Sequence, residues 1–264
     1  MIKILVYSFL LLTVNCQGQN AVESKKTKQE IIIEEHVTNC ADKISYTTRI
    51  KEYQDCLDAG LKKDSTIAYL WQQKAMPYFK AKKYEIGMPL LDKAVYYDSQ
   101  RWLAYRGFIK CIFVKNYKGA IIDFEECLKK QANGYEMDHS YSFYIGLSYL
   151  QLNEFIKANE IFQKDILAQE KKFGNAHHLD LFYYGITKYE QGKWEEAIIE
   201  FDKSLKEYSN FSDAQFYKAI CLSRIGKKEE AIQVMEKSRN DFKNGYTINE
   251  DNAIYESYPY KVRF

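Results

Sequence analysis

Two short stretches of the 264-residue chain carry the residue types from which metal sites and proton relays are built. The first is His177-His178-Leu179-Asp180, whose imidazoles and carboxylate are ordinary zinc ligands. Adjacent side chains diverge on a helix, however, and no Cys or Glu follows at ligand spacing. We interpret the stretch as the flank of a helix N-terminus, and the sequence predicts no metal site.

The second stretch, Asp138-His139-Ser140, contains the three residue types of a hydrolase triad. Three consecutive residues cannot form a relay, and Asp138 is better explained as the N-cap of a following helix. The chain also lacks a glycine-rich phosphate loop and a strand pattern to carry one. We therefore predict that the protein is not an enzyme and has no catalytic residues and no cofactor.

The amino-terminal residues have the organisation of an export signal. Lys3 precedes an apolar run from Ile4 to Val14, which is too short to cross a bilayer of about 30 Å at about 1.5 Å per residue. Residues 1–15 are predicted to be a signal peptide. Residues 16–40 begin with a polar, aperiodic run and are predicted to be a flexible tether.

Two routes of signal cleavage remain open. Residues 11–16, L-L-T-V-N-C, resemble a bacterial lipobox, in which Cys16 is diacylated and becomes the first mature residue. Thr13 and Asn15 depart from the residues usual in that motif, and the small residues near Gly18 also suit ordinary signal peptidase. Both routes export the protein to the periplasm or outer membrane. We favour the first, with Cys16 as the lipidation site.

Export places the remaining five cysteines in a compartment where disulfides form. A helix beginning near Ser45 puts Cys56 about 16 Å along it, and an extended run from Cys40 can fold back over that distance. A Cys40–Cys56 disulfide is therefore predicted. The other three cysteines are expected to be buried thiols: Cys111, Cys127 and Cys221.

The clearest pattern in the chain is a stretch that occurs twice. Residues 190–205 read EQGKWEEAIIEFDKSL and residues 224–238 read RIGKKEEAIQVMEKS, with Gly192 and Gly226 placed 34 residues apart. In each copy a glycine ends one amphipathic run before a second begins, so the unit is helix, turn, helix. The unit resembles the tetratricopeptide (TPR) repeat, and more degenerate copies extend the resemblance over about residues 65–240.

The resemblance implies an all-α TPR helical-hairpin solenoid, with about five repeats and capping helices at its ends. Ala158 and Ala197, at equivalent positions of the third and fourth units, are 39 residues apart. That spacing predicts a longer second helix in the third unit, closed by Gly174. The predicted divisions are residues 1–15 (signal peptide), 16–40 (tether), 41–62 (amino-terminal capping helix), 63–240 (TPR array) and 241–264 (carboxyl-terminal capping helix and aromatic tail).

TPR arrays use the first helix of each unit to line a groove for extended peptides or partner helices. The corresponding positions here are mostly apolar, which disfavours the TPR subclass that grips a terminal carboxylate with charged donors. Either tight superhelical packing closes the groove, or the groove holds an apolar segment. The predicted groove residues are Tyr69, Gln72, Tyr105, Phe143, Phe182, Tyr189, Phe216 and Arg224.

The last residues of the sequence carry a further expectation. Residues 247–250, T-I-N-E, form a capping-box signal for a short helix, and the aromatic run after it is too apolar to prefer water. We predict that this segment docks on the second helix of the fifth unit, around Ile232 and Met235. The alternative is a free recognition peptide for another protein.

Charge names no partner, since 38 basic and 36 acidic residues leave a net charge of +2, and nucleic acid is not expected. The resemblance implies a scaffold or adaptor that binds an unknown protein or peptide in the bacterial cell envelope. It would meet the membrane only through an amino-terminal lipid anchor. The alternative is a structural subunit of an envelope assembly or secretion complex, whose convex face contacts fixed partners.

Overall fold

The computed structural model describes residues 26–264, and this part of the chain is mostly helical. The predicted signal peptide, Cys16 and the first part of the predicted tether lie outside the described residues. The helices are α1 (Lys28–Ile33), α2 (Ile50–Lys63), α3 (Ala68–Lys80), α4 (Tyr84–Tyr97), α5 (Ser99–Phe108), α6 (Tyr117–Lys130), α7 (Tyr141–Gln151), α8 (Phe155–Phe173), α9 (His178–Glu190), α10 (Trp194–Glu207), α11 (Ser212–Arg224) and α12 (Lys228–Lys243). A short hairpin of β1 (Tyr135–Glu136) and β2 (His139–Ser140) joins α6 to α7. Among these helices, none is both long and apolar enough to cross a membrane.

Helices α3 to α12 form five helical pairs stacked in sequence order, so the predicted all-α solenoid is confirmed. In several pairs a glycine on the first helix meets a phenylalanine on the second. A Cβ on Gly146 would lie 3.0 Å from the ring of Phe162, and one on Gly185 would lie 2.6 Å from the ring of Phe201. The missing side chain leaves the space that the ring fills, and this close packing fixes the geometry of each pair.

The third pair has a longer second helix than the others. Helix α8 has 19 residues where α10 has 14, and it ends at Gly174, whose left-handed φ of 87° suits glycine. The prediction drawn from the 39-residue spacing is confirmed. The added turns bring Gln169 to the start of α9, where its side-chain oxygen accepts a hydrogen bond from the His177 amide at 3.0 Å.

Ordered structure begins earlier than the sequence predicted. Thr27 caps α1, which continues through a π-helical turn at Glu34–Thr38 and a 3-10 turn at Ala41–Lys43. The prediction of a flexible tether reaching residue 40 is therefore wrong from Thr27 onward. The physical reason is local: Thr27 and Glu30 form a complete capping box, which satisfies amide groups at the start of the helix.

The structure joins Cys40 to Cys56, with Cα atoms 5.8 Å apart. Cys56 lies on α2, which starts at Ile50 and therefore later than the reach argument assumed. Around the bridge, Leu57 and Leu70 belong to a small hydrophobic core separate from the main one. The amino-terminal segment thus packs on the first helical pair through its own core. The remaining described cysteines, Cys111, Cys127 and Cys221, are buried thiols.

Residues 247–264 follow α12 and contain turns but no helix. The predicted last helix is wrong because both parts of its capping box have other partners. The Thr247 hydroxyl donates to Asp213 at 2.7 Å, and a Glu250 carboxylate oxygen lies 3.3 Å from the His139 ring. Contacts with distant elements thus replace the local hydrogen bonds that start a helix.

Candidate functional site

The first helices of the five pairs share one face of the array, and residues 247–264 lie along that face. We call these residues the tail and the face they cover the groove. The tail leaves the fifth pair beside Asp213 and reaches the first pair, where Glu256 accepts a hydrogen bond from the Tyr84 hydroxyl. It then runs back to Asp213. The groove is therefore filled by two limbs of the chain's own tail.

The returning limb is held partly through its backbone. The Lys115 ammonium donates to the carbonyl oxygen of Ser257 at 2.9 Å, and the Tyr183 hydroxyl donates to that of Pro259 at 2.8 Å. Both donors come from the array and both acceptors are main-chain groups, which every residue type presents. These two contacts therefore fix the position of the tail without selecting its side chains.

Asp213, at the start of α11, is the anchor of both limbs. Its Oδ1 accepts the Val262 amide at 2.7 Å, and its Oδ2 accepts the Ile248 amide at 3.0 Å and the Thr247 hydroxyl at 2.7 Å. Burial raises the pKa of this carboxyl, while the three hydrogen bonds oppose the rise. A fully buried carboxylate with three donors is a strong fixed acceptor, so Asp213 defines where the tail enters and leaves.

Side-chain packing completes the docking of the tail. Tyr258 is 3% exposed, and the Phe264 ring lies with its centroid 5.5 Å from that of Phe216 and 5.2 Å from that of Phe242. The predicted docking place around Ile232 is wrong, because that side chain remains 59% exposed, and the contact of the tail with α12 is at Phe242 near the end of the helix. The apolar tail prefers the groove, where aromatic rings surround it on several helices.

Half of the predicted groove residues lie inside the array and not on its surface. Phe143 and Phe182 are completely buried, each packed among rings of its own and neighbouring helices. The Tyr105 hydroxyl contacts the Met76 sulfur, within the core. Packing therefore takes these positions into the interior, while the groove itself holds an apolar segment, the chain's own tail, which was the second of the two alternatives. The four buried members are Gln72, Tyr105, Phe143 and Phe182.

The other four predicted groove residues are not brought together into one site. Phe216 contacts the tail, whereas Tyr69 stacks on Trp102 at the first and second pairs. Tyr189 packs edge-on against neighbouring rings in the fourth and fifth pairs, and Arg224 is exposed, with its guanidinium over the Trp194 ring. Of the eight predicted positions, Phe216 has a direct ring contact with the tail. The half-buried or exposed members are Tyr69, Tyr189, Phe216 and Arg224.

A cluster of imidazoles and carboxylates lies beside the outward limb of the tail. His139 on β2 has Nδ1 at 3.6 Å from Asp180 Oδ2 and Nε2 at 3.3 Å from Glu250 Oε2. His177 has Nδ1 at 3.7 Å from the same Asp180 oxygen. The two stretches that the sequence analysis treated separately therefore meet in space, because the longer α8 and the β-hairpin bring their ends together.

Burial and neighbouring charges shift the pKa values of the ionisable groups in this cluster. Burial lowers the pKa of His139, but the Asp180 and Glu250 carboxylates outweigh that effect and raise it to about 9. Asp165, in hydrogen-bond contact with Ser140, has its pKa raised to about 7 by burial and by the charge of Asp180. The imidazole thus sits between two carboxylates in a site almost without solvent, and such sites are often functional.

His178 does not join the cluster. Its ring packs edge-on against Tyr208 and Phe211, with centroids 5.1 and 5.2 Å away. Burial and the neighbouring His177 lower its pKa to about 4. The interpretation of this stretch as a helix start is confirmed, since His177 is the N-cap of α9 and its Nδ1 accepts from the Leu179 amide at 3.3 Å. The two adjacent imidazoles do not diverge as expected, because their ring centroids are 4.3 Å apart.

A sequence model of the tetratricopeptide repeat matches residues 181–210 and 213–245, which cover the fourth and fifth helical pairs. The three earlier pairs repeat the same helix, turn and helix in the same stacking order. The fold is a TPR solenoid. No curated protein matches the chain significantly in sequence.

Several solved TPR structures are similar to this solenoid. A tetratricopeptide repeat protein from Parabacteroides merdae aligns with a TM-score of 0.63 at 17% identity, covering 81% of this chain and 79% of that one. PilW, a type IV pilus biogenesis factor, gives 0.63 at 14%, covering 83% and 96%. YrrB, a TPR protein with an unusual peptide-binding site, gives 0.50 at 18%, covering 70% and 91%. Identities this low establish a shared fold alone.

Sequence reasoning placed the TPR units but missed the occupant of their groove. One signal was available: Tyr258, Tyr260, Val262 and Phe264 are spaced two apart, which is the spacing of non-helical chain and not of a helix face. The partners of these residues could not be named, because no local pattern links them to Asp213 or Lys115. The TPR groove with its tail is the candidate functional site.

Proposed function

We propose that this TPR protein is a non-catalytic interaction scaffold whose groove binds a non-helical segment of a partner protein. The tail carries the proposal, because it lies in the groove held by donors to the carbonyl oxygens of Ser257 and Pro259. Donors of this kind accept any sequence, while the surrounding rings favour aromatic side chains. A partner segment with aromatic residues two apart would compete with the tail for the same contacts.

The similarity to YrrB supports the peptide-binding role, since that TPR protein is described as having a peptide-binding site. The tail would then act as a cis occupant that a partner must displace. Displacing the tail breaks its contacts with the groove, and that loss of free energy opposes binding of the partner. Only a segment with better complementarity, or one held by a second contact, would therefore succeed. The groove of this protein would therefore be selective in spite of its sequence-tolerant backbone donors.

We place the scaffold in the bacterial cell envelope, tethered through a lipid on Cys16 after removal of residues 1–15. The Cys40–Cys56 bridge supports export, because disulfides persist in oxidising compartments. Mass spectrometry of the mature amino terminus tests this location. A diacylglyceryl group on Cys16 is expected; a free terminus at Gln19 would indicate a soluble exported protein, and an intact Met1 would rule out export.

A structural subunit of an envelope assembly or secretion complex is the second candidate. One observation favours it: the second helix of every pair carries an exposed isoleucine, with exposed fractions between 50% and 73%. Apolar side chains repeated along one side of a solenoid suit a long contact with a fixed partner. These residues are Ile86, Ile122, Ile156, Ile199 and Ile232.

Site-specific photo-crosslinking in intact cells separates the two candidates. One crosslinker replaces Phe216, which contacts the tail in the groove, and the other replaces Ile156, which is 73% exposed on α8. Adducts from position 216 with several substoichiometric proteins are expected for the scaffold. Adducts from position 156 with one stoichiometric envelope protein, and none in trans from 216, would favour the subunit and reject the groove proposal.

A further inference from the structure

The cluster of His139, His177 and Asp180 presents three ligand atoms to one point. His139 Nδ1 and His177 Nδ1 lie 3.6 and 3.7 Å from Asp180 Oδ2, and each of the three residues has a ligand atom within 4.8 Å of those of the other two. We propose that these three residues bind a divalent transition-metal ion of the zinc type, with His177 Nδ1 giving up its 3.3 Å hydrogen bond from the Leu179 amide when it binds the ion. The proposal does not depend on the scaffold role of the groove.

The spacing of the three atoms fits such an ion. Tetrahedral zinc holds nitrogen and oxygen ligands at about 2.0 to 2.1 Å, which separates neighbouring ligand atoms by roughly 3.3 Å. The distances from the two imidazole nitrogens to Asp180 Oδ2 exceed that value by a few tenths of an ångström. They are at the same time longer than a good hydrogen bond, so the two imidazoles and the carboxylate attract one another without closing a short contact. A shared cation would draw the three atoms together and fill the space between them.

The second observation is that the His139 ring is buried without a hydrogen bond to any described residue. It is 2% exposed and stacked on the Phe143 ring at 3.9 Å between centroids, and within residues 26–264 neither of its ring nitrogens makes a hydrogen bond. Buried polar atoms are nearly always partnered, so an imidazole with both nitrogens unsatisfied calls for an explanation. A metal ion on Nδ1 supplies one.

The surrounding residues are arranged as supports for metal ligands. Glu250 Oε2 lies 3.3 Å from His139 Nε2, the relation of a carboxylate that orients a ligating imidazole from its far side. Gln169 Nε2 donates to Asp180 Oδ1 at 2.8 Å, which leaves Oδ2 turned toward the two imidazoles. Each of the two buried ligands therefore has its own orienting partner.

The ligand set and its access determine which ion fits. Two imidazoles and one carboxylate suit zinc and its neighbours, whereas Mg²⁺ prefers six oxygens. The His177 side chain is 42% exposed and lines a surface cavity of about 420 Å³ together with Asn175 and Glu207. The cavity gives an ion a route in, and three protein ligands leave a further position for water.

Binding would couple three parts of the fold. His139 comes from the hairpin, His177 and Asp180 from the start of α9, and Glu250 from the tail. An ion on His139 strengthens the charge-assisted contact of its other nitrogen with Glu250. Metal binding would therefore hold the outward limb of the tail in the groove and raise the thermal midpoint of the whole chain.

The test uses the full chain, freed of metal with a chelator and titrated with Zn²⁺ by calorimetry, with the bound metal counted by mass spectrometry. One Zn²⁺ per chain, a raised thermal midpoint and no competition from excess Mg²⁺ are expected. His177→Asn should lose the site while keeping the N-cap of α9, because asparagine caps well. Glu250→Gln should keep the stoichiometry and weaken binding roughly 10- to 100-fold.

The matched control is His178→Asn, which changes the adjacent imidazole that points away from the cluster. It should bind Zn²⁺ like the unaltered chain even if its midpoint falls. Absence of stoichiometric Zn²⁺ binding to the folded unaltered chain would overturn the proposal. So would equal losses of binding in His177→Asn and His178→Asn, since the metal would then lie elsewhere.

Discussion

The two ends of the TPR array are stabilised in different ways. At the amino end, α1, α2 and the turns between them form a small core with Leu57 and Leu70, closed by the Cys40–Cys56 bridge. At the carboxyl end, α12 buries only Ala231, Ser238 and Asp241, and Ile232 on its surface remains 59% exposed. One end is covered by a covalently closed cap, whereas the other sends its following residues into the groove.

The amino-terminal segment caps the array, whereas the tail fills its groove, and these are two different ways to stabilise it. A terminal repeat normally needs a covering element, and the expectation that the tail would serve as one placed it on α12. Apart from Phe264, which meets Phe242 at the end of α12, the tail contacts Asp213, Tyr183 and Tyr84, which belong to three different pairs. The amino-terminal cap should therefore affect its own region, while the tail should affect the entire array.

Deletion of residues 247–264 should have the largest effect. Ile248, Tyr258 and Val262 are each at most 5% exposed, and burial of such side chains stabilises by about 1.5 to 3 kcal/mol each. A loss of about 5 kcal/mol or more is expected, which lowers the thermal midpoint by roughly 10 °C or more. Calorimetry and binding of a hydrophobic dye to the opened groove would measure it.

The matched control for the deletion is Ile254→Ser, a change within the tail at a side chain that is 80% exposed. It should leave the midpoint within about half a kcal/mol of the unaltered chain. If the deletion left the midpoint equally unchanged, the contacts of the tail in the groove would not contribute to the stability of the array.

Removal of the disulfide should come second and act locally. Replacing Cys40 and Cys56 by serine removes a cross-link between residues 16 positions apart. The chain-entropy model gives a loss of about 3 kcal/mol in the free energy of unfolding. Hydrogen exchange should accelerate in α2 but not in α9. Equal acceleration in both helices would contradict the idea that the amino-terminal cap is a separate unit.

Asp213→Asn should lower the free energy of unfolding by about 1.5 to 3 kcal/mol, because the new side-chain amide points an N–H donor at one of the tail's own donors. The effect should spread along the tail and appear as faster exchange at Val262 and Ile248. Asp202→Asn is the matched control: it removes a half-exposed carboxylate paired with Lys218, and about 1 kcal/mol or less is expected. Equal losses in the two variants would deny Asp213 a special role.

Ile232→Ser should have the smallest effect of the series. The side chain is 59% exposed on α12, so less than about 0.5 kcal/mol is expected in a thermal melt of the isolated protein. A loss comparable to that of Asp213→Asn would mean that a covering element does lie over Ile232 in solution. That result would remove the contrast between the two ends.

The regular part of the fold could be predicted because its determinants are local. The 34-residue spacing of Gly192 and Gly226 fixes the helical pairs, and the wider spacing of Ala158 and Ala197 gave the length of α8 correctly. Thr27 and Glu30 carried an equally local capping box, but it was missed because the surrounding residues are polar. Pattern reasoning is reliable where the partner residue lies within a few turns.

The candidate sites depend on partners far apart in sequence, which a single chain does not reveal. Glu250 was assigned to a helix start because Thr247 stands three residues before it, yet its partner is His139. His139 itself was set aside because its neighbours in sequence could not assist it. Phe143 and Phe182 were placed in the groove by register alone, whereas their side chains turn into the packed interior.

The hydrogen bond between Tyr84 and Glu256 joins residues 172 positions apart and links the first repeat to a segment anchored at the fifth. An ordinary repeat array has contacts only between neighbours, so its ends can fray while its middle stays folded. Here the tail spans every repeat, and losing any one of them releases contacts at both ends. The five repeats should therefore unfold in a single cooperative transition, with coincident curves for end and centre probes, instead of peeling apart unit by unit.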